Sequence, residues 1–249
     1  MRKVYLPLSI VCLLATFLLL PVVKADSNKK LVAAASTITT VAVSNSTVST
    51  VETAATSLYD SLELDKLGMS KPALLYAFRG QQKLAEEGMV SNPDILTVCD
   101  FSQPSTQKRM YIIDVKNYKV LLNTYVAHGK NSGLEYAERF SNRVESLQSS
   151  LGFYITKGTY FGKHGLSLKL SGQENGINNN AEERAVVIHG AQYIGEQRAK
   201  SAYMGRSFGC PAVPQQLASK VINLIKNGTT LFIYHPSQQY LNGSPILNS

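Results

Sequence analysis

The chain has 249 residues, enough for a domain of ordinary size with a sound hydrophobic core. Its 25 Lys and Arg residues outnumber its 17 Asp and Glu residues, and the formal net charge is +8 at pH 7. This charge favours anionic surfaces, but no Lys/Arg-rich run or aromatic-interleaved basic patch is present, so we expect no nucleic-acid binding. The 3 cysteines are too few for a disulfide-stabilised scaffold.

The first 25 residues have the features of an export signal. Arg2 and Lys3 precede an apolar stretch from Val4 to Val23, and Ala25 offers a small residue at a cleavage point. This pattern predicts a signal peptide over residues 1–25. The alternative is an uncleaved membrane anchor, because about 20 apolar residues are just long enough to span a bilayer. Under both interpretations we expect an exported protein in the periplasm or cell envelope.

Two different segments follow the signal. Residues 26–57 are rich in Ser, Thr, Val and Ala and carry little charge, which predicts a flexible spacer. Residues 58–91 have apolar side chains at three- and four-residue intervals, which predict a helical N-terminal segment of two short helices. The second helix should run from about Lys71 to Glu87, with Ser70 as its N-cap and Gly88 after its end.

From residue 92 to 237 the pattern changes to short runs of β-branched and aromatic residues separated by turn residues. It predicts a mainly β domain, an antiparallel sandwich or barrel, with one packed helix from about Pro214 to Lys226. The polar segment from Gly172 to Glu183 is predicted to be a mobile loop, and residues 238–249 a C-terminal tail. The predicted strands are Ile95 to Asp100, Arg109 to Val115, Val120 to Ala127, Gly152 to Lys157, Ser167 to Leu170, Ala185 to His189 and Thr229 to His235.

The residues best suited to catalysis are His189 and Cys210. His189 ends an apolar run and precedes Gly190, so a strand can hold its ring rigidly. Cys210 follows Gly209, which lets the backbone approach a substrate closely and present amide N–H groups. A thiol with a pKa of about 8.5 is a weak nucleophile until a neighbouring imidazole takes its proton. We therefore predict a Cys210 nucleophile with His189 as general base; a buried or disulfide-bonded cysteine is the alternative.

These motifs resemble the L,D-transpeptidases with a YkuD-type catalytic domain, in particular a divergent murein L,D-transpeptidase branch. That family pairs His-Gly with a later Ser/Thr-His-Gly-Cys. Here His189-Gly190 and Ser207-Phe208-Gly209-Cys210 correspond, with Phe208 where the family usually has His. The resemblance extends from about Leu96 to Pro236. Three further segments support it: 126–133, 148–154 and 160–168.

The resemblance implies a YkuD-like β-sandwich or barrel and a site without a cofactor or metal ion. Cys210 would be the nucleophile, His189 the base, and the Gly190 carbonyl the group that orients the imidazole. The amides of Gly209 and Cys210 would line the oxyanion hole. The substitution at Phe208 would affect substrate positioning more than reactivity. The residues expected to contact the substrate are Ser207, Arg206, Phe208, His128 and His164.

Five residues have competing or structural interpretations. His128 and His164 each precede a glycine, and either line the cleft or are satisfied by backbone groups. Arg206 either shapes the donor site or anchors a loop. We expect His235 to be structural and Cys99 to be a small buried hydrophobic residue.

The resemblance also implies the reaction and its partners. The Cys210 thiolate would attack the third-residue carbonyl of a peptidoglycan tetrapeptide stem, D-alanine would leave, and an amine of a second stem would resolve the thioester as a 3→3 cross-link. Resolution by water would make the same site an L,D-carboxypeptidase. Peptidoglycan stem peptides are the expected partners and carbapenem β-lactams the expected inhibitors. The sequence does not indicate an oligomeric state.

Two rival classes remain. A zinc peptidase could use the three histidines at 128, 164 and 189 with Cys210, but no His-x-x-Glu-His or Cys-x-x-Cys spacing is present. A non-catalytic cell-wall-binding module that keeps the fold is the other rival, and Phe208 is the residue that favours it.

Overall fold

The computed structural model describes residues 49–248. The predicted signal peptide, residues 26–48 of the predicted spacer, and the last residue of the chain lie outside the described residues. Across the described part of the chain, no helix is long and apolar enough to cross a membrane.

Two helices precede the sheet. Helix α1 covers residues 49–61 and therefore begins inside the stretch predicted to be a spacer. Its Ala55, Leu58 and Tyr59 are buried at the spacing of one helical face. Burial of this face explains why a segment rich in β-branched residues is helical, since packing supplies more helix stability than intrinsic propensity does.

Helix α2, Lys71–Glu86, matches its predicted bounds to within one residue. The prediction of Ser70 as the N-cap is confirmed, although its side chain makes no capping hydrogen bond. Its hydroxyl is buried without a partner, while its N–H donates to Asp100 Oδ2 at 2.9 Å. The buried Asp100 carboxylate thus accepts from the N–H of the residue that starts α2 and ties the helix to the sheet.

The body of the domain is one eight-stranded sheet in the order β3-β2-β1-β8-β4-β5-β6-β7. The predicted mainly β, barrel-like fold with few helices is confirmed. Pairing is antiparallel except between β1 and β8 and between β6 and β7. The strands are β1 Ile95–Asp100, β2 Met110–Asp114, β3 Lys119–Thr124, β4 Gly152–Gly162, β5 Gly165–Gly172, β6 Val187–Ala191, β7 Ala212–Pro214 and β8 Thr230–Tyr234.

The chain after β3 nearly closes the sheet into a barrel. The predicted strand extends to Ala127, but β3 ends at Thr124 because the following residues turn to the opposite edge. There the Ala127 N–H donates to the Ala212 carbonyl at 2.8 Å. A parallel bridge joins Gly129 to Ser207. This closure brings the segment after β3 against the residues that lead into β7.

Helix α3, Ala218–Ile225, packs on the sheet beside β5 and β6 through Val221, Ile222 and Ile225. The predicted helix starts earlier, at Pro214, but Pro214 ends β7 and a 3₁₀ turn precedes α3. The sheet and α3 thus fix the positions of the residues on β6 and of the loop before β7.

The segment predicted to be a mobile loop is instead anchored. The Asn178 side chain is buried and donates to the carbonyls of Leu151 and Phe153 at 3.0 Å each. The Glu174 carboxylate is also buried, and Tyr240 and Ser244 donate to it. Tyr240 lies on helix α4, Gln238–Gly243, so the C-terminal residues predicted to be a tail pack on the domain.

Candidate active site

Cys210 and His189 lie on neighbouring elements at one edge of the sheet. In the parallel pair of β6 and β7, His189 is opposite Ala212, two residues after Cys210. The His189 side chain is only 4% exposed, whereas Cys210 is half-buried. The strand pair therefore holds His189, the candidate base, rigidly and leaves Cys210 partly exposed.

The His189 ring has a defined orientation. Its Nδ1 lies 2.9 Å from the Gly190 carbonyl oxygen, and because a carbonyl can only accept, Nδ1 carries the proton. The unprotonated Nε2 is then free to take a proton. Burial lowers the pKa of His189, with a further contribution from His164, against the raising effect of the Gly190 carbonyl. The imidazole is therefore neutral at pH 7, as a general base must be.

The Cys210 thiol is protonated in this arrangement. Burial raises its pKa above the ordinary value, while the Val187 N–H, the Arg184 cation and its own N–H act in the opposite direction. Its Sγ donates to the Ala185 carbonyl at 3.6 Å. The thiol must therefore lose its proton and leave this carbonyl before it can attack a substrate.

Ser207 organises the nucleophile loop, residues 206–211, which carries the candidate nucleophile Cys210 and leads into β7. Its hydroxyl donates to the Cys210 carbonyl at 2.6 Å and accepts from the Gly209 N–H at 3.0 Å. The Gly209 amide, which the family resemblance offers to an oxyanion, is thus paired with Ser207 in this conformation. Gly209 has φ +127°, a conformation that favours glycine.

Arg206 and Phe208 belong to this loop, and their side chains have different surroundings. The Arg206 guanidinium donates to the carbonyls of Lys130 and Gly133 at 2.8 and 3.3 Å, which is the loop-anchor role. Phe208 is 72% exposed, and the Lys130 ammonium lies 4.6 Å from its ring centroid. Phe208 therefore remains a candidate substrate contact beside the nucleophile.

His128 does not line an open cleft. It is fully buried, and its Nδ1 accepts from Arg109 Nη2 at 2.8 Å. Burial and the Arg109 cation lower the pKa of His128 to about 3. The predicted substrate contact is inconsistent with this position. Instead, the His128 carbonyl accepts from the Ser207 N–H at 3.0 Å and so anchors the backbone of the nucleophile loop.

His164 occupies the tight turn of the β4–β5 hairpin, between the paired Gly162 and Gly165. Its side chain is exposed, and its ring stacks on the His189 ring at 4.3 Å between centroids. The same hairpin presents Phe161, which is 84% exposed. The fold therefore brings His164, one of the predicted substrate contacts, directly against His189.

A family model for the L,D-transpeptidase catalytic domain matches residues 65–234. The chain belongs to this family.

Comparison of this L,D-transpeptidase domain with other proteins adds distant structural likenesses. The comparison with curated proteins finds no match. An L,D-transpeptidase from Mycobacterium smegmatis is 12% identical with a TM-score of 0.36, over 57% of this chain and 59% of that one. A K307A mutant of the helical cell shape determining protein Pgp2 from Campylobacter jejuni is 14% identical with a TM-score of 0.39, over 64% and 57%.

A third solved structure, an L,D-transpeptidase from Stackebrandtia nassauensis, is 14% identical with a TM-score of 0.33, over 67% of this chain and 68% of that one. This chain spans somewhat under two thirds of the Mycobacterium and Campylobacter proteins.

The zinc-site alternative requires at least three of its residues to be grouped around one point. Within residues 49–248, no three His, Cys, Asp or Glu side chains are grouped so that they could hold a metal ion. Cys99 is fully buried and, like Cys210, has a free thiol. Burial raises the pKa of Cys99 to about 12, which makes it unreactive at neutral pH.

Two residues near the nucleophile were not identified from the sequence. Both residues precede β6. The charge of Arg184 lowers the pKa of Cys210, and the carbonyl of Ala185 accepts from the Cys210 thiol. Arg184 ends a polar segment and Ala185 begins a predicted strand, and no motif in the sequence links either residue to Cys210.

Proposed function

We propose that this chain is a cysteine-dependent peptidoglycan L,D-transpeptidase that uses tetrapeptide stems as donors. The single observation that carries the proposal is the orientation of His189. Its Nδ1–H is committed to the Gly190 carbonyl, so Nε2 accepts protons on the strand next to Cys210. A neutral, buried imidazole with a free Nε2 is the proton acceptor that a cysteine nucleophile requires.

Acylation begins when His189 Nε2 takes the Cys210 proton. The thiolate then attacks the carbonyl carbon of the third stem residue, and a C–S bond forms as that carbonyl oxygen becomes an oxyanion. Collapse of this intermediate breaks the C–N bond to D-alanine, and the His189 imidazolium returns its proton to the leaving amine. The products are free D-alanine and a thioester on Cys210.

Deacylation completes the cross-link. The side-chain amine of a second stem attacks the thioester, His189 removes the proton of that amine, and the C–S bond breaks. The released thiolate is then reprotonated. If water replaces the amine, the product is a shortened stem rather than a 3→3 cross-link.

The surroundings of Cys210 fit an anionic peptide donor. Phe208 and the Lys130 ammonium lie together at the exposed side of the nucleophile loop, an apolar face next to a positive charge. Stem peptides carry carboxylates, for which Lys130 offers an attractive partner. Because such stems lie outside the cytoplasmic membrane, export of the chain to the cell envelope is part of the proposal.

The experiment is incubation of the purified full chain with disaccharide tetrapeptides, followed by mass spectrometry of the products. We expect release of D-alanine and either 3→3 dimers or tripeptides, which distinguishes transpeptidase from carboxypeptidase activity. Cys210→Ala should abolish both products, whereas Cys99→Ala, the matched control at a buried thiol, should retain them. Activity that persists in Cys210→Ala and is lost with a chelator would instead assign a metal-dependent peptidase, and binding without turnover would assign a wall-binding module.

A further inference from the structure

The Arg184 side chain is half-buried beside the nucleophile loop and ties down the neighbouring 141–150 segment. Its Nη1 donates to the Ser141 carbonyl at 2.8 Å and to Ser150 Oγ at 2.5 Å. Its Nη2 donates to Ser146 Oγ at 3.2 Å and to the Gln148 carbonyl at 2.5 Å. Four hydrogen bonds thus hold the planar guanidinium in one orientation.

This cation has neutral partners only. All four acceptors are hydroxyl or carbonyl oxygens, and within residues 49–248 none of the ion pairs includes Arg184. Burial lowers the pKa of Arg184, while the negative charges that Tyr154 and then Cys210 can carry raise it again. Burial raises the pKa of Tyr154, so its hydroxyl stays neutral at pH 7. The ionised thiol of Cys210 is therefore an anion that this uncompensated charge is placed to stabilise.

The backbone of the nucleophile loop lies directly against the guanidinium. A Cβ atom added to Gly209 would lie 2.8 Å from the Gln148 carbonyl oxygen and 3.2 Å from Arg184 Nη2. Ser149 Oγ donates to the Gly209 carbonyl at 3.2 Å from the same segment. Arg184 and the segment that it holds thus form the wall on which the Gly209–Cys210 peptide sits.

The residue after Arg184 contacts the thiol itself. Ala185 has φ +51°, a left-handed conformation that is uncommon for a residue with a side chain, and its carbonyl accepts from Cys210 Sγ. A thiolate has no proton to donate, so ionisation breaks this contact, while the Arg184 cation lowers the pKa of Cys210 and so favours the ionised form. The Ala185 carbonyl therefore stabilises the protonated thiol of Cys210, whereas the Arg184 charge stabilises the thiolate.

We propose that Arg184 is a positioning residue for the nucleophile, whose guanidinium braces the Gly209–Cys210 peptide and stabilises the Cys210 thiolate. The proposal rests on the proposed function in taking Cys210 as the nucleophile. The proton lost by the thiol goes to His189 Nε2, and Arg184 remains charged throughout. Arg184 thus supplies electrostatic support to the thiolate from outside the loop that carries Cys210.

The test measures the alkylation rate of Cys210 by iodoacetamide from pH 6 to 10 in the full chain, with the modified cysteine located by peptide mass spectrometry. In Arg184→Gln we expect alkylation at pH 7 to slow about tenfold and the midpoint of the profile to move to higher pH, because an opposite charge nearby favours the thiolate. Arg143→Gln, which removes an exposed arginine of the same segment, should match the wild type. Coincident profiles for Arg184→Gln and the wild type would overturn the proposal.

Arg184→Lys keeps the charge but cannot make the four-bond fork. We expect its alkylation midpoint to stay near that of the wild type while D-alanine release from tetrapeptides falls about tenfold, the scale of a misplaced reacting group. This variant also decides the case if Arg184→Gln does not fold, which thermal unfolding would show. Wild-type D-alanine release in Arg184→Lys would refute the bracing role. If the wild type itself releases no D-alanine, the proposed function fails, while the alkylation profiles still test Arg184.

Discussion

The imidazole of His164 stacks on the imidazole of His189, with ring centroids 4.3 Å apart and ring planes 24° apart. His164 reaches this position from the turn of the β4–β5 hairpin, because β5 pairs with β6 and places Ser167 opposite His189. The stack covers one face of His189, the proposed general base, and sets a second titratable ring against it. Protonation of both rings would place like charges in contact, so His164 favours the neutral form of His189.

Two variants of His164 should separate its two effects on the pKa of His189, the burial of the His189 ring and the electrostatic effect of a second imidazole. The wild-type pKa of His189 is lowered first by burial and then by His164, so losing either contribution raises it. The acid limb of the pH profile for D-alanine release should therefore move to higher pH in His164→Phe, which keeps a stacked ring, and further in His164→Ala. Lys163→Ala, a change at the neighbouring turn position, is the control. Acid limbs that coincide with the wild type in both variants would show that the stack does not act on the base.

Loss of the general base should slow acylation strongly. His189→Ala removes Nε2 as proton acceptor, and we expect D-alanine release to fall by a factor of about 10² to 10⁴. Iodoacetamide alkylation of Cys210 should slow as well, measured from pH 6 to 9. Alkylation that is equally fast in both forms would mean that His189 does not activate the thiol, and the base would have to be sought at His164.

Carbapenems should acylate Cys210. Opening of the strained lactam places its carbonyl oxygen where that of the peptide substrate would be, so the same donors stabilise both oxyanions. Intact-mass measurement of the full chain should show one covalent adduct, which Cys210→Ala abolishes and Cys99→Ala keeps. An adduct that survives Cys210→Ala would place the reactive nucleophile elsewhere.

The buried His128 should make the domain sensitive to acid. Its pKa is about 3 in the folded protein, whereas an unfolded histidine titrates near 6.5, so the unfolded state binds more protons between these values. Its contribution to stability is therefore complete above about pH 6.5 and falls by about 1.4 kcal/mol for each pH unit down to about pH 3.

His128→Asn provides the measurement, because an amide oxygen can still accept from Arg109 but does not titrate. Urea unfolding at pH 7.0 and 4.5 should show a smaller loss of unfolding free energy in the variant than in the wild type, even if the variant is less stable at pH 7. Glu174 and His235 titrate in both proteins and cancel in the difference. An equal loss in the two proteins would contradict the assignment of a neutral, buried His128.

Strands with a strong local pattern were accessible from the sequence. The bounds of β1, Ile95–Asp100, agree with the prediction because a β-branched run there is bounded by Pro93 and Ser102. Strand β7, Ala212–Pro214, was missed because three residues, one of them proline, are too short to show an alternation. The first predicted helix was placed too late, from residue 58, whereas α1 covers residues 49–61. The composition of residues 49–57 favours strands, and only burial against the domain favours the helix.

Some features of the candidate site could also be predicted from the sequence, and others could not. Cys210, His189 and the glycines beside them are candidates that the sequence alone offers, because each of the two residues and its glycine are neighbours in the chain. The stack of His164 on His189, the pairing of the Gly209 amide with Ser207 and the position of Arg184 beside Cys210 were decided only by the tertiary structure. The physical reason is that strand pairing and barrel closure determine which distant side chains meet, whereas the sequence pattern records only the local periodicity of burial.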